Sequence, residues 1–243
     1  DGIRAVERSR GLGDVYKRQL KNIELAKLQL HDNDWFVRHA RRVLHERLDY
    51  SRKIWSPFSP DLEKNHAAWR GHRANWFHEA DAALKIQLSG HESVPKRLRA
   101  LWALYVSEGI EAADLIDLLR DSDEYVRSWA VQLLMNDIRL TEAGVAMLTE
   151  MARDEESPLV RLYLASAAQR LPVTMRAPLL KVLLARVEDA NDPNLPLMYW
   201  YAAEPVVAAD SKQAVQLLVA CKIPKLRQFI TRRMAVKQLS SGE

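Results

Sequence analysis

Residues 120–134 read RDSDEYVRSWAVQLL, and residues 31–44 read HDNDWFVRHARRVL. Each stretch places an aspartate five residues before a Val-Arg pair and then continues with apolar residues at helical spacing. A phrase that returns in this way is typical of helical-repeat proteins, whose hairpins bury their apolar faces against their neighbours. The sequence therefore predicts an all-α fold, and more closely an α-solenoid of about six helical hairpins.

The Val-Arg column gives a register for the second helix of each hairpin. The column residues are Val37, Leu98, Val126, Val160, Leu197 and Leu226. The predicted N-caps lie three residues upstream, at Asp34, Pro95, Asp123, Ser157, Asn194 and Ile223. Four of these six carry a side-chain oxygen that can accept a free backbone N–H at a helix start, so local sequence and register agree.

The first helices of the hairpins are predicted over 20–30, 74–89, 110–120, 141–153, 174–188 and 209–221. The segment 50–73 interrupts the even spacing and contains Pro57 and Pro60. We expect an irregular insertion there, and an additional degenerate hairpin is the alternative, because a long loop without structure is unusual inside a domain. No stretch alternates with a period of two, so no sheet is predicted.

The N-terminal tail, residues 1–19, resembles a translated sequencing adapter, most closely over Ser9–Gln19. Such a segment is excluded from reasoning about the fold. The expected organisation is then a solenoid over residues 20–239 and a truncated end over 240–243, with the chain a fragment of a longer protein.

The tail carries a net charge of +2 and the whole chain +4, so the net charge of the remainder is only +2. A nearly neutral remainder argues against a dedicated nucleic-acid surface.

Composition excludes several classes of protein. Apolar residues make up 48% of the chain, which excludes general disorder. No apolar run approaches the roughly 18 residues that span a membrane, so no membrane insertion is expected. Cys221 is the only cysteine, which excludes an internal disulfide and a Cys-pair metal or haem site in this segment.

The arginines of the Val-Arg column are predicted to form a structural ladder with nearby aspartates. The predicted members are Arg38, Arg99, Arg127, Arg161 and Arg227, paired with Asp32, Asp121 and Asp154. The alternative is an anion-binding stripe for a ligand. We favour the ladder, because a charge that is used internally is not available to a ligand.

Aromatic residues give the candidate interaction surface. Its predicted members are Trp35, Trp55, Trp69, Trp76 and Trp200. Exposed aromatic side chains often anchor partner interfaces. The other interpretation is packing in the core between repeats and at their caps, and the sequence favours it.

No catalytic, cofactor-binding or metal-ligating constellation is predicted. The seven histidines all lie between His31 and His91, without the spacing that places two imidazoles on one helix face. There is no Gly-rich phosphate loop and no nucleophile elbow. The segment is therefore expected to be non-catalytic.

The repeats resemble HEAT repeats. Over residues 20–239 the chain also resembles the helical middle region of the large membrane-bound dehydrogenases of planctomycete and verrucomicrobial bacteria. The stretches that carry this resemblance are Asp34–Arg42, Arg97–Leu104, Asp123–Val131, Ser157–Leu162 and Asp192–Tyr201. Proteins of that family combine a β-propeller, a HEAT-like middle and a C-terminal c-type cytochrome module.

The resemblance implies a scaffold that spaces or docks protein domains of the same parent chain, in the periplasm or cell envelope. Any haem would belong to the missing C-terminal part of the parent, because no Cys-x-x-Cys-His occurs here. The alternative function is a nucleic-acid-binding, DNA-repair-like helical-repeat protein, which requires a continuous basic groove. A bilin-lyase-like repeat protein is a third interpretation, for which the sequence offers no ligand candidate.

Overall fold

The computed structural model describes the backbone of residues 19–55, 62–137 and 142–240, and the side chains of residues 19–52, 69–136 and 142–236. The predicted tail up to residue 18, the side chain of Trp55 and the end after residue 240 lie outside the described residues. Twelve α-helices and no strands occur in the described part of the chain. The prediction of an all-α fold is therefore confirmed.

The chain divides into two compact units, one up to Glu111 and one from Ala112 onward. The helices of the first unit are α1 (Asn22–Lys27), α2 (Asp34–Trp55), α3 (Leu62–Gly90) and α4 (Val94–Val106). Those of the second are α5 (Ala112–Leu118), α6 (Glu124–Asp137), α7 (Glu142–Asp154), α8 (Pro158–Arg170), α9 (Ala177–Leu184), α10 (Leu195–Ala209), α11 (Ser211–Ala220) and α12 (Pro224–Ser240). The sequence did not predict this boundary.

In the first unit, α3 packs against both α1 and α4, and α2 also contacts each of these two helices. Phe77 and Leu84 of α3 are fully buried, together with Leu44 of α2 and Leu101 of α4. The structure differs here from the irregular insertion expected over 50–73. Helix α2 continues to Trp55 and α3 begins at Leu62, so most of that segment is helical. The helix-breaking prolines at 57 and 60 fall in the short interval between them.

The second unit alternates two rows of helices. Helices α6, α8, α10 and α12 pack one on the next, and α7, α9 and α11 do the same. Each helix of the second row also packs against the following helix of the first row. The buried side chains Val126, Val160, Leu195 and Leu226 lie at equivalent places near the starts of the first-row helices. Each first-row helix therefore buries the equivalent face.

The predicted register holds for α6, α8 and α12 but is two residues late for α10. The residue at the buried position is Leu195, whereas the predicted Leu197 is half-buried. The Asp192 carboxylate accepts the Leu195 N–H at 2.8 Å, as the Asp123 carboxylate accepts the Val126 N–H at 3.1 Å. Ser157 caps α8 in the same way, whereas Asn194 makes no side-chain cap. A short 3-10 helix over Val187–Asn191 takes up the additional residues of this connection.

The other predicted caps differ from one another. Asp34 is the first residue of α2, and the preceding Asn33 accepts the Trp35 N–H at 2.9 Å. Pro95 lies in the first turn of α4, where its missing N–H breaks no helical hydrogen bond. Ile223 is fully buried before α12 and has no side-chain acceptor to offer.

Candidate interaction site

The Val-Arg arginines of the second unit connect the starts of α6, α8 and α12 to the segments before them. Arg127 Nη1 donates to the Asp121 carbonyl oxygen at 2.9 Å, and Arg161 Nη1 donates to the Glu155 carbonyl oxygen at 3.0 Å. Arg227 Nη1 makes the same bond to Cys221 at 2.9 Å. In each case the acceptor lies six residues upstream. The bond satisfies a carbonyl group that the end of the preceding helix would otherwise leave free.

Two of these arginines also make a two-point ion pair with a carboxylate 28 residues further along the chain. Arg127 donates to Glu155 through Nε at 2.9 Å and Nη2 at 2.8 Å. Arg161 donates to Asp189 through Nε at 2.8 Å and also through Nη2. The Tyr199 hydroxyl donates to the same Asp189 carboxylate at 2.7 Å. Such paired contacts are among the stronger hydrogen bonds in proteins.

The ion pairs change the protonation properties of their members. The hydrogen bond that Arg127 donates to Glu155 raises the pKa of Arg127. Burial alone would raise the pKa of Glu155, but the hydrogen bonds from Arg127 and from the Ser157 N–H together lower it. Burial and the bond to Asp189 both raise the pKa of Tyr199 well above its ordinary value, so its hydroxyl keeps its proton. These shifts favour the charged forms of Arg127 and Glu155 and the protonated hydroxyl of Tyr199.

The carboxylates that pair differ from the predicted ones. Glu155 and Asp189 are the partners in the second unit, whereas Asp121 reaches Arg127 through its backbone oxygen and Asp154 is exposed. The interval of 28 residues between each arginine and its carboxylate was the available signal. The repeated phrase points instead to its own aspartates, whereas the pairing carboxylate belongs to the following hairpin.

In the first unit the predicted ladder takes another form. Arg38 and Arg99 both contact the Asp34 carboxylate, and Arg99 Nη1 donates to the His31 carbonyl oxygen at 3.1 Å. The carboxylate of Asp32 is almost fully exposed, and Lys96 Nζ lies 3.9 Å from it.

The predicted aromatic surface separates into exposed and packed members. Trp35 and Trp76 are 43% and 42% exposed. The Trp35 ring lies 4.2 Å from that of His39, and the Trp76 ring 5.4 Å from that of Phe77. Trp69 is buried with the Arg52 guanidinium 5.1 Å from its ring centroid.

Trp200 is half-buried beside Phe229, with ring centroids 5.4 Å apart. Trp200 does not line the groove that α6, α8 and α10 form. The exposed aromatic residue there is its neighbour Tyr201, which was not among the predicted members.

That groove lies on the outer surface of α6, α8 and α10 and has a volume of about 510 Å³. None of its lining residues is charged; they are Gln132, Leu162, Tyr163, Ser166, Asn194, Leu197, Met198 and Tyr201. Tyr201 is 56% exposed at its edge. In a chain with 28% charged residues, an uncharged groove with Tyr, Met and Leu has the composition of a protein interface core. It is the candidate surface for a protein partner.

Two other grooves have mixed linings. The first, of about 730 Å³, lies in the first unit and is lined in part by Asn22, Arg47 and Trp76. The polar groups of these residues bond to one another. Asn22 Nδ2 donates to the Trp76 carbonyl oxygen at 3.0 Å, and Arg47 Nη1 donates to Asn22 Oδ1 at 2.5 Å. One of about 660 Å³ in the second unit includes Met147 and Met151 among several acidic residues.

Within the described side chains, no group of three or more His, Cys, Asp or Glu residues is arranged to hold a metal ion. None of the helices, as far as the structure describes them, is long and apolar enough to cross a membrane.

Comparison of the chain with models of known protein families, with curated proteins and with solved structures gives no match.

Proposed function

We propose that this chain is a non-catalytic, HEAT-like helical-repeat scaffold that binds protein domains. The observation that carries the proposal is the contrast between the two surfaces of the second unit. Its column arginines are engaged with carboxylates and carbonyl groups, while the neighbouring helix faces form an uncharged groove. The arginine pairs stabilise the packing of the helices, and the groove remains accessible to a partner. A scaffold needs both features.

The repeat interpretation is supported by features that recur together in the second unit. A side-chain cap at the helix start, an arginine bonded to the carbonyl six residues upstream and an ion pair 28 residues ahead occur in both α6 and α8. Chance placement would not keep the three features in a common register. A solenoid of about six such hairpins over residues 20–239 extends this interpretation to the rest of the chain.

The parent protein, in this proposal, is a multidomain dehydrogenase with a c-type cytochrome module, and the scaffold sets the distance between its domains. The support is the resemblance carried by Arg97–Leu104, now within α4, and by Asp192–Tyr201, now the start of α10. The location would then be the periplasm or cell envelope. Haem chemistry would take place outside this segment.

The proposal is tested first on the extended reading frame of the parent gene. A propeller upstream and a Cys-x-x-Cys-His motif downstream are expected, and the absence of both contradicts the dehydrogenase assignment. The encoded flanking domains are then produced separately and titrated calorimetrically against this chain. Binding of at least one flanking domain is expected, and no binding of either contradicts the scaffold function.

A further inference from the structure

The four first-row helices of the second unit present equivalent positions to the same side. Val126, Val160, Leu195 and Leu226 are the buried reference positions. Counting six residues on from each reaches Gln132, Ser166, Tyr201 and Arg232. Counting three residues on from Val126 and Val160 reaches Trp129 and Tyr163, and the matching residues in α10 and α12 are Met198 and Phe229. Five of the eight residues that line the groove are at these positions: Gln132, Tyr163, Ser166, Met198 and Tyr201.

The charge of this face changes at the last helix, α12. On α8 and α10 these positions carry only uncharged residues, whereas α12, which packs on α10, carries Arg232 at the position of Tyr201. Lys225 precedes the reference residue Leu226 on the same helix. Both cationic side chains are exposed. Arg232 makes no ion pair with any residue whose side chain the structure describes, unlike Arg233, which pairs with Glu204 at 2.6 Å. The uncharged groove therefore leads to a cationic rim on one side.

We propose that this groove binds a protein segment with two or three apolar anchors that is followed by acidic residues. The anchors occupy the space between Leu162, Leu197 and Tyr201, and the acidic end lies on α12 beside Arg232. This inference rests on the proposed scaffold function and names the partner chemistry of its groove. A volume of about 510 Å³ accommodates a few large side chains rather than a folded domain.

The lining distinguishes a protein segment from a nucleic acid. A nucleic acid presents a phosphate at each nucleotide and needs cationic groups along its whole path. Here the lining between α6 and α10 has no charge, and Arg232 and Lys225 lie on the next helix, α12. A protein segment with apolar anchors fits the uncharged groove, and acidic residues that follow the anchors fit the cations of α12.

The experiment selects a random peptide library against the full chain and measures the affinity of the selected peptides by fluorescence polarisation. Apolar residues followed by Asp or Glu are expected among them. Tyr201→Ala is expected to weaken their binding by about tenfold, the size of a typical interface anchor. Tyr50→Ala removes a tyrosine that is 64% exposed but lies in the first unit, and is expected to leave affinity unchanged.

The charge component is tested by Arg232→Glu, with Arg70→Glu on α3 as its matched control. The first variant is expected to prefer peptides whose acidic residues are replaced by lysine, and the second to keep the original preference. Raising the salt from about 0.15 M to about 1 M shortens the Debye length from about 8 to about 3 Å and should remove most of this preference. Circular dichroism verifies that each variant is folded.

Selected peptides that bind Tyr201→Ala as tightly as the unchanged chain overturn the proposal, as does a selection that yields no binder. Tight, steeply salt-dependent binding of a single-stranded oligonucleotide that Tyr201→Ala abolishes would assign the groove to nucleic acid instead. If the flanking domains of the parent bind Tyr201→Ala undiminished, the scaffold function stands and only the groove assignment fails.

Discussion

Arg161 and Asp189 form a two-point ion pair whose side chains are each only 3% exposed. Removing one member of a buried pair leaves the other charge without a partner, at a cost of about 3–5 kcal/mol. We expect Asp189→Ala to lower the free energy of unfolding by about this amount in urea denaturation. The double variant Arg161→Leu with Asp189→Leu is expected to lose less, because no charge stays buried. The exposed pair of Arg153 and Glu150 provides the control, and Arg153→Ala is expected to change stability by no more than about 0.5 kcal/mol.

The Glu155 carboxylate gives the second unit a dependence on acid. Since the pKa of Glu155 is lower in the folded chain than its ordinary value of 4.5, its charged form stabilises the fold above that pH. This contribution is lost as the pH falls below about 4.5 and through the lowered pKa. The midpoint of urea denaturation, measured from neutral pH to about pH 3, should therefore fall less steeply for Glu155→Gln than for the unchanged chain. Arg127→Gln removes the partner that lowers the pKa and should flatten the profile similarly; a profile as steep as that of the unchanged chain in both variants contradicts the assignment.

Gly109 leaves room for the ion pair between Arg73 and Asp81 in the first unit. A Cβ at this position would collide with Asp81 Oδ1 and lie 2.9 Å from Arg73 Nη2. Both side chains of the pair are largely buried, so they have little space to move. Gly109→Ala is expected to lower the free energy of unfolding by about 1–3 kcal/mol.

Gly71 is the matched control for that substitution. It lies inside α3, and a Cβ there would meet nothing within 4 Å. Gly71→Ala should stabilise the chain by up to about 1 kcal/mol, because alanine favours the helix. Thermal or urea denaturation of both variants measures the difference, and equal effects would mean that Gly109 has no special role.

The repeat register predicts that a whole period can be removed. Deletion of residues 126–159 joins Tyr125 to Val160, so that Asp123 caps the new helix and Arg161 keeps its pair with Asp189. In helical-repeat proteins each repeat contacts only its neighbours. The shortened chain is therefore expected to unfold cooperatively in circular dichroism, at a lower temperature than the full chain. Deletion of only half a period, residues 143–159, removes most of α7 and the Glu155 carboxylate, joins Glu142 to Val160 out of register and should not fold.

The sequence predicted the helices better than the contacts between them. The Val-Arg phrase located the starts of α6 and α8 because a cap and a buried residue recur there together. The register failed at α10 because Asp192, Asn194 and two prolines offer several helix starts, and only the packed structure shows that Leu195 is the buried one. Intrinsic patterns do not fix a register when two caps compete.

The candidate surface was harder still to predict. Trp69 and Tyr201 are both aromatic residues on helices, but Trp69 is buried under Arg52 and Tyr201 is exposed. Their burial depends on which helix packs beside them, and that is a tertiary property. The partner of Arg161 was missed for the same reason: Asp189 reaches it across the interval between two hairpins.

Helix α10 has Pro196 where α6 and α8 have their column arginine, and Tyr199 is the neutral donor that meets Asp189 instead. The series of column arginine–carboxylate pairs therefore ends at α10. Local opening of a protein begins where its stabilising contacts are fewest. The second unit should accordingly loosen from its carboxyl end, with the amide protons of α11 and α12 exchanging with solvent before those of α8. The stability of its hairpins thus decreases toward the carboxyl end. Helix α12, which carries Arg232, can open locally while the arginine–carboxylate pairs of α6 and α8 stay formed.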